Sequence, residues 1–350
     1  MSINKDDKNC VVFAWGEPED EKVTSTTHKT KSSNFSNDSI TKSLIDIPNI
    51  TMQYILEIKE SVRKMIVSNK KKVLFSQIVG QNYAKNVLRS TFFTQYKHKV
   101  HLPRKLLFYG PSGVGKTMLT NAMTFETDRT VLRVNISQVV SRFMGETEKM
   151  LDAVFELAKE NSPSLIILEE IDSIARKRST SEPDMERRIK IELFRHLDAV
   201  KEMEECVAFM ATTNLPWDLD SALLTRFEKK IFVSTLNKSD RMEMIRNLSE
   251  PYSKFSHEEL TELSEISRGL TGCEFEVLFN DLIVSLSNKS EALEIEFGIL
   301  KKRILQTRPS VSPNVMSNYI RFLKRSGQAD QLDEIDQDLQ ADLEVNNIYI

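Results

Sequence analysis

The chain has 350 residues, 40% of them hydrophobic and 28% charged, with a formal net charge of -3. That length is enough for two domains and a sizeable core, and the near-neutral balance supplies no global field aimed at nucleic acid or at a membrane surface. No apolar run approaches the roughly 20 residues of a membrane helix, the N-terminal MSINKDDKNC has no apolar signal core, and Cys10, Cys206 and Cys273 are scattered without metal-ligand spacing, so a cytoplasmic or nuclear protein with no transmembrane segment and no nucleic-acid partner is expected.

Residues 1 to about 44 are rich in Ser, Thr, Asn, Lys and Asp and cannot bury enough apolar area to offset their ordering entropy, so disorder is expected there. VVFAW (11–15) is an apolar island within that stretch, either a docking peptide or an incidental cluster. ITMQYILEIKESVRKMIV (50–67) has apolar residues at helical spacing and predicts a leading helix. From about residue 73, short apolar runs alternate with helical stretches: LLFY (106–109), VLRV (131–134), LIIL (165–168), VAFMA (207–211) and IFV (231–233). Runs without polar alternation, bounded by helices, predict strands of a parallel sheet covered on both faces. From about residue 236 the helical period takes over, and Phe275, Leu278, Phe279, Leu282 and Leu286 form one apolar stripe. The expected architecture is an α/β parallel-sheet domain with helices on both faces (73–235), followed by a small helical domain (236–327). A region with a short leading helix (1–72) precedes them and an acidic tail (328–350) follows. In that tail Leu332, Ile335, Leu339 and Leu343 share a helical face, which can pack on its own domain or on a neighbouring subunit.

Directly after LLFY comes GPSGVGKT (110–117), a G-x-x-x-x-G-K-[ST] loop. Glycines let successive backbone N–H groups turn inward around phosphate oxygens, and the helix that starts here points its positive end at the anion. The candidate nucleotide-phosphate site is therefore Gly110, Pro111, Ser112, Gly113, Val114, Gly115, Lys116, Thr117 and Met118. Lys116 reaches the terminal phosphates and Thr117 is a candidate ligand for Mg²⁺. The run SLIILEEIDS (164–173) ends a second buried strand in two adjacent carboxylates, which repel each other unless a cation or a polar substrate lies between them. Ligands of open α/β sheets bind at the carboxyl ends of strands, so this end is expected beside the phosphate loop. Glu169 is assigned to the Mg²⁺ shell and Glu170 to orienting and activating water for attack on the γ-phosphate. NKSD (237–240) fits the guanine-reading motif of GTPases, yet EEIDSI lacks the Asp-x-x-Gly that GTPases need, so NKSD reads as a turn and helix cap.

The rest of the chain resembles the AAA ATPases, in order and at matching spacings over about residues 73–327. FSQIVGQNYAK (75–85) is similar to the segment that opens the AAA module, which implies adenine contacts at Ile78 and Gly80. SRFMGETEK (141–149) is similar to the central-pore loop, which implies that Arg142, Phe143 and Met144 grip a threaded peptide. The competing reading of Phe143 is a core residue at a helix start. ATTNLPWDLDSALLTRFEKKI (211–231) resembles the sensor-1 strand and arginine-finger region, which implies Asn214 as sensor 1 and Arg226 as a finger acting on the next subunit. GLTGCEF (269–275) is similar to the sensor-2 entry. LKKRILQTRPSVSPNVMSNYIRFLKRSG (300–327) is similar to the C-terminal helix of the meiotic clade of katanin, spastin, fidgetin and the ESCRT-disassembly ATPase. NLPWDLD and the C-terminal stretch lean toward the katanin catalytic subunit. The resemblance implies an ATP- and Mg²⁺-dependent homo-hexameric ring that severs microtubules, is associated with the cytoskeleton, and pulls acidic tubulin tails through its pore. The basic runs ARKR (175–178) and ERRIK (186–190) suit such a tail, or form a solvated helix face.

The chain departs from the family pattern in several places. Glu169 stands where the family has Asp, and the added methylene extends the carboxylate by about 1.3 Å, a change that the octahedral geometry of Mg²⁺ registers. Thr225 stands where the clade has a second arginine, GPSGVGKT replaces GPPGTGKT, the segment between Val87 and Leu106 is shortened, and no N-terminal three-helix microtubule-interacting domain is visible. These departures define the alternatives of a hydrolysis-impaired, ATP-binding regulatory or scaffold subunit and an ESCRT-type polymer-disassembly ATPase.

Overall fold

The computed structural model describes residues 56–68, 70–93, 102–135, 147–176, 184–202, 206–287 and 294–335. The expectations for VVFAW, for the pore residues Arg142, Phe143 and Met144, and for Leu339 and Leu343 fall outside those residues. Five strands form one sheet: β1 (Lys105–Tyr109), β2 (Thr130–Asn135), β3 (Ser164–Glu169), β4 (Val207–Thr213) and β5 (Lys229–Phe232). Their order is β2-β3-β4-β1-β5 and every pairing is parallel. Each predicted apolar run is one of these strands. The runs carry no polar alternation because each strand is covered on both faces. Leu107, Leu132, Ile166, Leu168 and Phe209 pack on one face with α4 (Thr147–Glu160) and α5 (Asp184–Glu202). Leu106, Phe108, Val131, Ile167 and Met210 pack on the other with α2 (Asn82–Phe92) and α3 (Lys116–Glu126). Each such side chain contributes about 1.5–3 kcal/mol through removal from water.

Other segments of the chain occupy part of the open backbone edge of both outer strands. The leading helix α1 covers 56–63 rather than the whole apolar period to 67. Beyond it the chain runs antiparallel beside β2, with Ile66 opposite Leu132, Val67 N–H donating to Val131 at 2.9 Å and Met65 accepting from Arg133 N–H at 3.0 Å. The helix stops early because these residues find partners on an edge that otherwise faces water. On the far side, two glutamines from the C-terminal segment pair with β5. Phe232 N–H donates to Gln331 Oε1 at 2.7 Å, and Lys230 C=O accepts from Gln328 Nε2 at 2.6 Å and from Gln331 Nε2 at 2.9 Å.

A short helix, α6 (Ser221–Leu224), precedes β5, and after β5 the chain forms a helical bundle of α7 (Lys238–Ser249), α8 (His257–Ile266), α9 (Gly272–Ser287) and α10 (Phe297–Gln306) around Leu260, Leu263, Phe275, Leu278, Phe279 and Leu300. Asn237 of NKSD accepts from Asp240 N–H at 2.9 Å and caps α7, as a turn-and-cap reading requires. Ser256 and Glu259 form a reciprocal capping box on α8. The last helix, α11 (Pro313–Arg325), packs its buried face on Tyr109 of β1 and Phe232 of β5. The described part of the predicted acidic tail (328–350) holds a 3-10 turn over Ala329–Glu334, and Leu332 and Ile335 join the same cluster. Among the described residues no helix is long and apolar enough to cross a membrane.

Gln331 is 1% exposed. Gln331→Ala leaves the buried Phe232 N–H without its acceptor, which costs about 1–3 kcal/mol. The expected outcome is a lower thermal midpoint by calorimetry, whereas substitution of the exposed Leu305 leaves the midpoint unchanged.

Candidate functional site

β1 leads into a turn over residues 110–115 and then into α3, whose first residue is Lys116. The turn is tight against β5: a Cβ on Gly110 would lie 2.1 Å from the carbonyl oxygen of Val233. Gly110 also has φ +157, so this position tolerates no side chain. Lys116 is 8% exposed, and its ammonium donates to the carbonyls of Gly110 at 2.8 Å and Pro111 at 2.6 Å. Burial lowers its pKa to about 8, with the Asp172 carboxylate opposing the shift. The cation is thus held inside its own loop by neutral carbonyls, at the positive end of a helix, where an anion is the natural competitor.

The loop forms one wall of a cleft of ≈ 460 Å³ lined by Ser112, Gly113, Val114, Gly115, Lys116, Thr117 and Met118. Glu169 and Glu170 at the end of β3 and Asn214 just past β4 line the same cleft. Adjacency follows from strand order, because β4 lies between β3 and β1. Glu170 has φ 55, a left-handed conformation uncommon for a residue with a side chain, and its N–H donates to Thr212 Oγ1 at 3.3 Å. Such strain persists where the surroundings over-determine it. Glu169 Oε1 is sealed from solvent, lies 3.8 Å from Arg133 Nη1, and accepts no hydrogen bond among the described residues. A carboxylate oxygen without a hydrogen-bond donor, on a residue that lines the same cleft as the exposed Thr117, fits a divalent cation.

Ile78 and Val79 line the cleft, and Leu236, Met244 and Leu248 face it from the helical bundle. Gly80 does not line it. Its φ is +64, and a Cβ there would lie 2.5 Å from Asp240 Oδ2, so its absence of a side chain lets the 78–80 segment sit against the start of α7. Gly110 and Pro111 likewise lie outside the lining and act through their carbonyls on Lys116. Gln77, Thr212, Asn247, Gly272, Cys273 and Glu276 line the cleft without having been singled out one by one from the sequence. GLTGCEF pointed at two of them; the bundle residues read as ordinary core by their period. Arg226 is not in the cleft of its own chain. It forms a two-pronged pair with Asp198, at 3.0 Å from Nε and 2.9 Å from Nη2, donates to the Ala222 carbonyl at 2.8 Å and lies 4.4 Å from the centre of the Phe194 ring.

Comparison with known proteins agrees with the fold. Residues 106–235 match the model of the ATPase family associated with various cellular activities (AAA). Spastin of Xenopus tropicalis is 32% identical over 284 residues, covering 75% of this chain and 47% of that protein. Spastin of Homo sapiens is also 32% identical over 284 residues, covering 75% of this chain and 46% of that protein. The chain therefore spans about half the length of these relatives. The crystal structure of the FIGL-1 AAA domain in complex with ADP superposes with a TM-score of 0.64 at 23% identity, covering 77% of this chain and 96% of that one. With this sheet order and this cleft, the chain belongs to the AAA family of ATPases, in the type that groups katanin, spastin and fidgetin.

Proposed function

We propose that the chain hydrolyses ATP and acts as a hexameric ring remodeller of microtubules, drawing acidic tubulin tails into a central pore by way of Arg142, Phe143 and Met144. The observation that supports hydrolysis is the convergence of Lys116, Glu169, Glu170 and Asn214 on one cleft at the carboxyl ends of three adjacent strands. Lys116 exchanges its two carbonyl partners for the terminal phosphates of ATP. Glu170 orients the attacking water and takes its proton, and the Asn214 amide polarises that water from the neighbouring strand end. Ile78 and Val79, with Leu236 and Met244, offer an apolar seat for the base. Thr117 and Glu169 would hold Mg²⁺, which when bound neutralises charge on the phosphates. Arg226 reaches the γ-phosphate held by the next copy once its pairing with Asp198 yields, which is why it lies outside its own cleft. A cytoplasmic, cytoskeleton-associated location follows from this reading.

The alternative of a hydrolysis-impaired ring subunit has one specific support: Glu169 has Arg133 as an ionic neighbour, which competes with a metal for the carboxylate. Steady-state ATPase assays of the wild type beside Glu170→Gln separate the two. The expected result is a loss of about 10²-fold or more in turnover with binding of a fluorescent ATP analogue retained. Equal, negligible turnover in both, with intact binding, assigns the chain to the alternative.

Lys116 supplies a pH dependence. In the free protein it is cationic below about pH 8 and neutral above. Affinity for ATP is therefore full on the acid side and falls as pH rises through that value. Titration with the fluorescent analogue is expected to give a dissociation constant about tenfold higher at pH 9 than at pH 7. Lys116→Arg, which does not titrate in this range, gives a flat profile.

For the substrate, labelled microtubules mixed with protein and ATP should show internal breaks. Phe143→Ala should abolish them while leaving nucleotide binding intact. Unbroken filaments alongside robust ATPase activity would redirect the search to another polymer, including the membrane-associated assemblies of the ESCRT type.

A further inference from the structure

The end of β4 and the residue after it are held through three consecutive residues with different partners. Thr212 Oγ1 accepts from the N–H of Glu170 at 3.3 Å, which ties it to the candidate base. Thr213 Oγ1 donates to Asp172 Oδ1 at 2.7 Å and accepts from Leu215 N–H at 3.0 Å. The carbonyl of Asn214 accepts from the hydroxyl of Tyr319 at 2.6 Å. The first two partners directly follow β3, whereas Tyr319 comes from α11, 105 residues further along the chain than Asn214.

Tyr319 is 2% exposed, and its ring is fixed by edge contact with Trp217 at 4.8 Å between centroids and by Phe232 at 5.6 Å. Trp217 itself lies in the turn that follows Asn214. Burial, and then the Asp172 carboxylate, raise the phenol pKa well above its ordinary value, so the hydroxyl keeps its proton and stays a donor. Past the far end of α11, Gln328 accepts from the Tyr109 hydroxyl at 3.0 Å and donates to Lys230 at 2.6 Å. Tyr109 ends the strand that feeds the phosphate loop. The C-terminal segment therefore touches the ends of β1, β4 and β5 together.

We propose that Tyr319 is a positioning residue for ATP hydrolysis: its hydroxyl fixes the peptide plane of Asn214 and so the direction in which the Asn214 amide faces the attacking water. The inference rests on the ATPase reading above. A misplacement of the order of 1 Å in an orienting group costs about 10²-fold when nothing else holds it. Here the Asp172–Thr213 and Glu170–Thr212 bonds remain, so loss of one hydroxyl costs less.

The test is Tyr319→Phe, which keeps the ring and its packing, beside Gln331→Ala, which weakens the seat of the C-terminal segment without touching Asn214. Four quantities are read: kcat, KM for ATP, affinity for the fluorescent analogue, and hydrogen–deuterium exchange of peptides spanning 207–216. The expected result for Tyr319→Phe is a kcat lower by about five- to tenfold, with KM and affinity unchanged and faster exchange at 213–216. Gln331→Ala is expected to keep its kcat per folded molecule. An unchanged kcat in Tyr319→Phe overturns the proposal, as does a loss that disappears on correction for folded fraction. If the wild type does not turn over ATP, the ATPase reading fails. The exchange data then decide the positioning alone, and unaltered protection at 213–216 overturns it.

Discussion

Parallel pairing of β3, β4 and β1 brings the ends of three strands to one edge of the sheet. Because parallel strands share a direction, whatever follows each strand emerges on the same side. A phosphate loop, an acidic pair and an asparagine, separated by as many as 98 residues between Lys116 and Asn214, therefore face a single cleft. The aliphatic side chains of LLFY, LIIL and VAFMA make that pairing worth its entropy, since each is buried on both faces. The chemistry of the site is thus fixed by hydrophobic registration several residues away from it.

Within that frame the acidic pair is asymmetric. Glu170 is exposed and held in a left-handed backbone conformation, bonded through its own N–H to Thr212. Glu169 turns back toward Arg133, a residue on β2 whose guanidinium also reaches Thr120 of the helix that follows the phosphate loop. The longer carboxylate arm thereby has a cationic neighbour on one side and the cleft on the other. A shorter acid in its place would lie farther from Arg133 if the backbone stayed put.

Most of the frame was legible in the sequence because its determinants are local. A run without polar alternation has to be a strand covered on both faces, and all five such runs are strands of the sheet. The glycine loop was legible because its spacing is imposed by backbone geometry, and NKSD was legible as a cap because Asn237 answers to an N–H three residues on. What stayed hidden depends on long-range pairing. Nothing near Tyr319 announces that its hydroxyl meets the carbonyl of Asn214, and nothing near Gln331 announces an open strand edge. Helical periodicity grouped α11 with the helices before it, yet its buried face lies on Tyr109 and Phe232, because the aromatic residues that receive it belong to strands. Leu236, Met244 and Leu248 escaped for the opposite reason: an apolar stripe looks the same whether it faces a core or a cleft.

The covered sheet margins have a bearing on how copies of this chain can meet. With 65–67 laid along β2 and two glutamines on the backbone of β5, part of each border is already taken up by this chain's own residues. Association by shared strands, the route that ends in fibres, is thereby hindered at both borders. Under the ring reading proposed above, contacts between copies fall to helices, loops and charged tips such as Arg226, surfaces that can let go as readily as they engage. For the ring proposed above, such joints suit repeated engagement and release better than a continuous sheet would.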